Sequence, residues 1–211
     1  MIELDNITYS YPRSSASVLQ SFSARFQRGE ITLVKGKNGC GKTTLTKLIV
    51  GILRPSAGRI AIEGADISGM TLFEIGQRVG YIFQNPNRQL FCDTVFNEIA
   101  YGLRNLNMDE EQAALEADHY IELFDLERYR DTYPGKLSLG EKQRLALATV
   151  LALGADYLVL DEPTTGLDIR RQRDLVGTLL SLRDEKNCGI VLVGHSSDYV
   201  SRCADRELVM R

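Results

Sequence analysis

The sequence predicts an α/β protein: a parallel central sheet flanked by helices, with an antiparallel β layer and an inserted helical lobe. Three observations carry that prediction. A glycine-rich loop at residues 36–43 stands between an apolar β-rich run at 31–34 and a helical segment at 43–50. Three further short apolar runs, 79–83, 157–160 and 190–193, each lie close to a helical segment, as in a parallel sheet buried on both faces. Between residues 91 and 154 the apolar spacing is helical, clearest over 95–103 and 113–124 and broken at Pro134-Gly135.

In chain order, residues 2–11, 21–27 and 59–63 read as strands of the antiparallel layer, the first of them ended by Pro12. The glycine loop, Gly36-Lys37-Asn38-Gly39-Cys40-Gly41-Lys42-Thr43, fits the pattern GxxxxGK[ST] in the strand-then-helix setting that this pattern requires. Its glycines admit backbone angles that side chains forbid, so successive N–H groups can face β- and γ-phosphate oxygens. Asn38, Gly39, Cys40, Gly41, Lys42, Thr43 and Thr44 are therefore the candidate nucleotide-binding set. The Lys42 ammonium neutralises phosphate charge, the Thr43 hydroxyl is placed to ligate Mg²⁺, and the following helix offers its positive end.

Ligands of parallel sheets lie beyond the strands' carboxyl ends, which puts Gln84, Asp161, Glu162 and His195 at the same edge as the loop. Leu158-Val159-Leu160-Asp161-Glu162 ends a buried strand in two carboxylates. Burying both without a charge partner is prohibitive, and a bound Mg²⁺ resolves the conflict, with Asp161 as metal carboxylate and Glu162 polarising an attacking water. The acidic helix start Met108-Asp109-Glu110-Glu111 reads as solvated, and residues 207–211 as a final strand.

Composition narrows the function classes. The 211 residues suit one domain with an inserted lobe, and 44% hydrophobic content is ample for a core. A net charge of −3, from 25 basic and 28 acidic side chains, provides no general basic field and argues against a nucleic-acid partner. Cys40, Cys92, Cys188 and Cys203 show neither CxxC nor Cys/His spacing, so no zinc site or disulfide framework is predicted. No apolar run reaches the ~20 residues that cross a bilayer, so any membrane role runs through a partner.

One more stretch completes a resemblance. Leu137-Ser138-Leu139-Gly140-Glu141 is similar to the LSGGQ signature of ABC transporters, and Lys142-Gln143-Arg144-Leu145-Ala146-Leu147-Ala148 continues in that family's manner. Ser138 with Glu141 also forms a capping box, whose helix N-terminus favours an anion. Over almost its full length the chain resembles the nucleotide-binding subunit of an ABC transporter. The resemblance implies a P-loop NTPase of the ABC-ATPase type: one ABC ATPase domain at 1–211, with a RecA-like core at 1–84 and 155–211 and a helical subdomain at about 85–154.

The resemblance implies ATP and Mg²⁺ as ligands and ATP hydrolysis as the reaction. It also implies a head-to-tail dimer in which Ser138 and Gly140 of one subunit close on the γ-phosphate held by the other. Carried over singly, Tyr11 resembles the aromatic that stacks on adenine, with Tyr9 its rival on the same strand face. Gln84 resembles the glutamine that contacts metal or water and reports the γ-phosphate to a membrane partner. Asp168, in Pro163-Thr164-Thr165-Gly166-Leu167-Asp168, resembles the aspartate that touches the second subunit, and His195 the switch histidine on the γ-phosphate. The implied metal set is Thr43, Gln84 and Asp161; the implied catalytic set is Glu162, His195, Gln84 and Lys42. Leu139 replaces the signature's first glycine and is expected to weaken the composite site, as in heterodimeric members; Glu141 serves the capping box as well as Gln.

The run Phe83-Gln84-Asn85-Pro86-Asn87-Arg88-Gln89-Leu90-Phe91, continued by Thr94-Val95 and Ala100-Tyr101-Gly102-Leu103, resembles the energy-coupling-factor importers of vitamins, cobalt or nickel. That branch implies a second ABC ATPase subunit, identical or not, a transmembrane transporter subunit, and a peripheral location on the cytoplasmic face of the membrane. The alternative is a soluble ABC ATPase of nucleic-acid repair or translation. Such proteins usually carry a long coiled coil in the lobe or two cassettes in one chain, and this sequence has neither.

Overall fold

A computed structural model describes residues 1–12, 16–165, 167–194 and 199–210. β1 (Ile2–Tyr9) buries Ile2, Leu4, Ile7 and Tyr9 and is bulged around Asn6, where φ is 48°. It pairs antiparallel with β2 (Leu19–Phe26) and, past the intervening β3 (Ile31–Gly36), with β4 (Ala57–Ile62). The two-residue β5 (Ala65–Asp66), too short to leave a pattern, completes the sheet order β2-β1-β4-β5. β1 stops two residues short of the expected end: Val18 N–H closes the ladder on the Tyr9 carbonyl at 2.8 Å, and the chain then leaves the sheet.

The second sheet has the order β6-β7-β8-β3-β9, with β6 (Val79–Ile82), β7 (Tyr157–Asp161), β8 (Gly189–Val193) and β9 (Arg206–Met210), every pair parallel. Every residue of β7 and β8 is buried, which is why both read as continuous apolar runs. Alternation divides their side chains between two cores. Leu158, Leu160, Ile190 and Leu192 share a cluster with the helical lobe, whereas Val159, Val191 and Val193 share one with the antiparallel layer and α1 (Lys42–Ile49).

A five-residue helix, α2 (Leu72–Gly76), was not anticipated; a Thr71–Glu74 capping box starts it, and that sequence signal was available. The lobe consists of α3 (Val95–Asn105), α4 (Glu110–Leu123) and α5 (Leu139–Ala152), with side-chain caps Thr94, Asp109 and Ser138. The acidic start of α4 is more than solvated: Asp109 accepts from Gln112 N–H at 2.9 Å, and Glu110 pairs with Arg104. The 18-residue α6 (Ile169–Lys186) is capped by Asp168.

Gly80 lets α5 lie directly on β6. A Cβ there would come within 1.8 Å of Val150 Cγ1, and a helical valine is held to one strongly preferred rotamer and cannot swing aside. Gly80→Ala is expected to destabilise the fold by about 1–3 kcal/mol in urea unfolding, with partial recovery in Gly80→Ala/Val150→Ala. Wild-type stability of the single variant would refute this packing.

Candidate functional site

The four loops that leave β3, β6, β7 and β8 emerge at one edge, because Val34 is in register with Val193, Asp161 with Val193 and Ile82 with Leu160. The glycine loop, Gln84, Asp161 and Glu162 are thereby brought together from three segments spread between positions 36 and 162. In the loop, Gly39 and Gly41 have φ of 83° and 97°, and Gly41 caps α1 in the left-handed conformation. A Cβ on Gly39 would meet nothing within 4 Å, so a ligand can approach the backbone there. Asn38, Gly39 and Thr43 are exposed, Cys40 is half-buried against Gly36, and Thr44 is buried. Lys42 is 6% exposed and donates from Nζ to the carbonyls of Gly36 (2.9 Å) and Lys37 (3.2 Å).

Tyr11 lies beyond the end of β1, exposed, with its hydroxyl 3.1 Å from Thr44 Oγ1. Tyr9 is 7% exposed and packs edge-on against it with centroids 5.1 Å apart, so the ring open to a base is that of Tyr11. At the end of β7, the buried Asp161 accepts from the Tyr81 hydroxyl at 3.3 Å. Glu162 has φ of 49°, a conformation non-glycine residues seldom adopt and one that concentrates at functional sites. It accepts from Gln84 Nε2 at 3.1 Å, which links the loop after β6 to the acid after β7. Gly194 N–H donates to the Val34 carbonyl at 3.3 Å; His195, the next residue, lies outside the described residues, as does Gly166.

The donor set fits Mg²⁺. A hydroxyl, a carboxylate and an amide oxygen are hard ligands, and Mg²⁺ binds through one or two carboxylates together with phosphate oxygens. The described residues contain no group of three or more His, Cys, Asp or Glu able to cage a metal.

Ser138 is elsewhere. Its hydroxyl accepts from Glu141 N–H at 3.4 Å and its own N–H donates to Glu141 Oε2 at 2.7 Å, completing the predicted capping box. Burial raises the Glu141 carboxyl, but hydrogen bonds from the Tyr129 hydroxyl and from Ser138 outweigh it and hold the group at about 2. Ser138, Gly140, Glu141 and Asp168 line an open cleft of about 320 Å³ with Arg128, Arg144, Arg170 and Arg171, and no residue of 36–44 lines it. The Ser138 helix start thus opens on a cleft to which the glycine loop contributes no residue. Leu139 is half-buried and packs on the lobe core.

Several contacts could not be read from sequence. Gln143 Nε2 donates to the Pro163 carbonyl, anchoring α5 to the turn after Glu162, and Lys142 Nζ donates to Asn87 Oδ1 at 2.8 Å, tying α5 to the turn after Gln84. Tyr81 is a further case: nothing in an isolated strand tyrosine signals a bond 80 residues away.

The family described as "ABC transporter" matches residues 19–165. A "Putative ABC transporter ATP-binding protein" of Pyrococcus horikoshii is 40% identical over 211 residues, covering all of this chain and 80% of that protein. One of the same description from Methanosarcina acetivorans is 39% identical over 211 residues, 99% of this chain, and the chain spans only 34% of its length. A solved structure of cbiO1 from Clostridium perfringens, described as part of the ABC transporter complex cbiONQ, is 31% identical with a TM-score of 0.90, covering 100% of this chain and 84% of that one.

Proposed function

Since the chain belongs to the ABC transporter family of ATP-binding proteins, we propose that it is an ATPase subunit that powers uptake of a small solute through a transmembrane partner. One observation carries the two-subunit part of this reading. The Ser138 cleft holds the helix N-terminus and arginines suited to a phosphate, yet includes no residue of the glycine loop. On this reading a phosphate bridging both surfaces is held between two copies, or between this chain and a related one.

In the proposed cycle the Lys42 ammonium leaves the Gly36 and Lys37 carbonyls for phosphate oxygens, and loop N–H groups face the same anion. Mg²⁺, when bound, offsets charge on the β- and γ-phosphates; Thr43, Asp161 and Gln84 would hold it. Glu162 orients water and accepts its proton, held at one oxygen by Gln84. His195 and the partner's copy of the Ser138 surface complete the γ-phosphate site, and Asp168 meets the opposing subunit. Closure then passes through α5, bonded to the loops after Gln84 and Glu162, into the lobe.

The lobe offers a surface for the membrane partner. Phe91 and Tyr101 are 68% and 49% exposed and meet edge-to-face at 5.2 Å. The buried Glu98 carboxylate holds the Phe91 loop against α3, which carries Tyr101, by accepting from Phe91 N–H (2.9 Å) and Cys92 N–H (2.6 Å). The sequence run 83–91 and the similarity to cbiO1 favour the energy-coupling-factor type, with a vitamin or metal ion as solute and a peripheral place on the cytoplasmic face. No helix of the described residues is long and apolar enough to cross a membrane.

Ser138→Arg tests the two-surface reading. ATP binding by the isolated chain should stay within about twofold of wild type, because the substitution is remote from the glycine loop, while ATP-dependent dimerisation in gel filtration is lost. Equal loss of ATP binding would mean the two surfaces serve one nucleotide within a single chain. Co-purification from solubilised membranes tests the partner: a multi-span protein supports transport, and bound nucleic acid supports the non-transport alternative.

A further inference from the structure

Tyr81, three residues before Gln84, reaches across the site. Its hydroxyl lies 3.3 Å from Asp161 Oδ2 and 3.3 Å from Thr46 Oγ1. Thr46 in turn donates from Oγ1 to the Thr43 carbonyl at 2.9 Å. Proton counting gives the arrangement its meaning. The Asp161 carboxylate only accepts, and the Thr46 proton is engaged on Thr43, so the single Tyr81 proton faces two acceptors. Two contacts long for O–H···O bonds are what a shared proton produces. A tyrosine hydroxyl, with an ordinary pKa of about 10, keeps that proton at neutral pH.

The surroundings restrict the hydroxyl's movement. Thr46 is fully buried and Asp161 is 6% exposed, while the Tyr81 ring packs on Phe83 with centroids 4.8 Å apart at 61°. One side chain therefore connects α1, which carries Thr43, to β7, which ends in Asp161, and to the strand end that delivers Gln84.

We infer that Tyr81 is a positioning residue that sets the separation of Thr43 and Asp161, the two halves of the divalent-ion site, and aligns Gln84 with them. The inference rests on the ATP and Mg²⁺ reading of this site. Groups that orient metal ligands typically contribute 10–100-fold to metal affinity, and the Tyr81 hydroxyl acts on Asp161 in that way.

The test is Tyr81→Phe, which keeps the ring on Phe83 and removes only the hydroxyl. Mn²⁺ serves as the probe, titrated by electron paramagnetic resonance into ATP-loaded protein, with ATP affinity measured separately in EDTA. Tyr81→Phe should weaken Mn²⁺ binding about tenfold and leave ATP affinity in EDTA within about twofold. Thr46→Val, which removes the other partner of the hydroxyl, should weaken Mn²⁺ binding in the same direction. Wild-type Mn²⁺ affinity in both variants would overturn the inference, as would an equal loss of ATP affinity in EDTA. If wild-type protein itself bound Mn²⁺ no better with ATP than without, the ATP and Mg²⁺ reading would fail, and not the role of Tyr81 alone.

Discussion

Glu162→Gln is expected to lower ATP turnover by at least about a hundredfold while leaving ATP binding intact, because a positioned general base contributes 10²–10⁴-fold. The substitution is nearly isosteric. The amide oxygen of Gln can still accept from Gln84 Nε2, which sits 3.1 Å from Glu162 Oε2, so the loop after β6 keeps its anchor. What is lost is a group able to take a proton from water. Closure that hydrolysis no longer reverses should then trap ATP-bound dimers, visible as an ATP-dependent shift in gel filtration. Near wild-type hydrolysis would remove Glu162 from the role of base. The left-handed backbone at Glu162, with φ of 49°, adds a structural reason to look there, since such strain persists where surrounding contacts over-determine it.

Lys42→Ala is expected to weaken ATP binding by at least about thirtyfold in calorimetry, roughly 2 kcal/mol, in the range found when one partner of a hydrogen-bonded charge pair is truncated. Lys42 is 6% exposed, and its ammonium is held by the carbonyls of Gly36 and Lys37. That contact braces the glycine loop, so the variant is expected to lose both the proposed countercharge and a brace of the loop. Lys42→Arg should not restore affinity, because a planar five-donor fork cannot replace a compact ammonium in this space. Wild-type affinity in Lys42→Ala would contradict phosphate binding at the loop.

Much of the architecture was legible because its causes are local. Continuous apolar runs marked β7 and β8, since a parallel sheet covered on both faces leaves no polar alternation. The Ser138–Glu141 capping box was readable from two residues and is formed as expected. The missed or misplaced elements also have local causes: β5 has two residues and α2 five, too few for a period, and β1 ends at Tyr9 through a ladder bond with Val18 rather than at Pro12.

The sequence by itself determined the chemistry on offer, from the phosphate loop with Lys42 and Thr43 to the paired acids Asp161 and Glu162, because spacing, turn chemistry and capping act over a few residues. The tertiary structure alone decided which groups meet. It joined Gln84 to Glu162 and Tyr81 to Asp161 and Thr46, left Tyr11 exposed where Tyr9 is buried, laid the Leu139 side chain on the lobe core, and lined the Ser138 cleft without any residue of the glycine loop. Those contacts depend on the register of parallel strands and on which face of each strand packs against which helix. No short window of sequence contains that information.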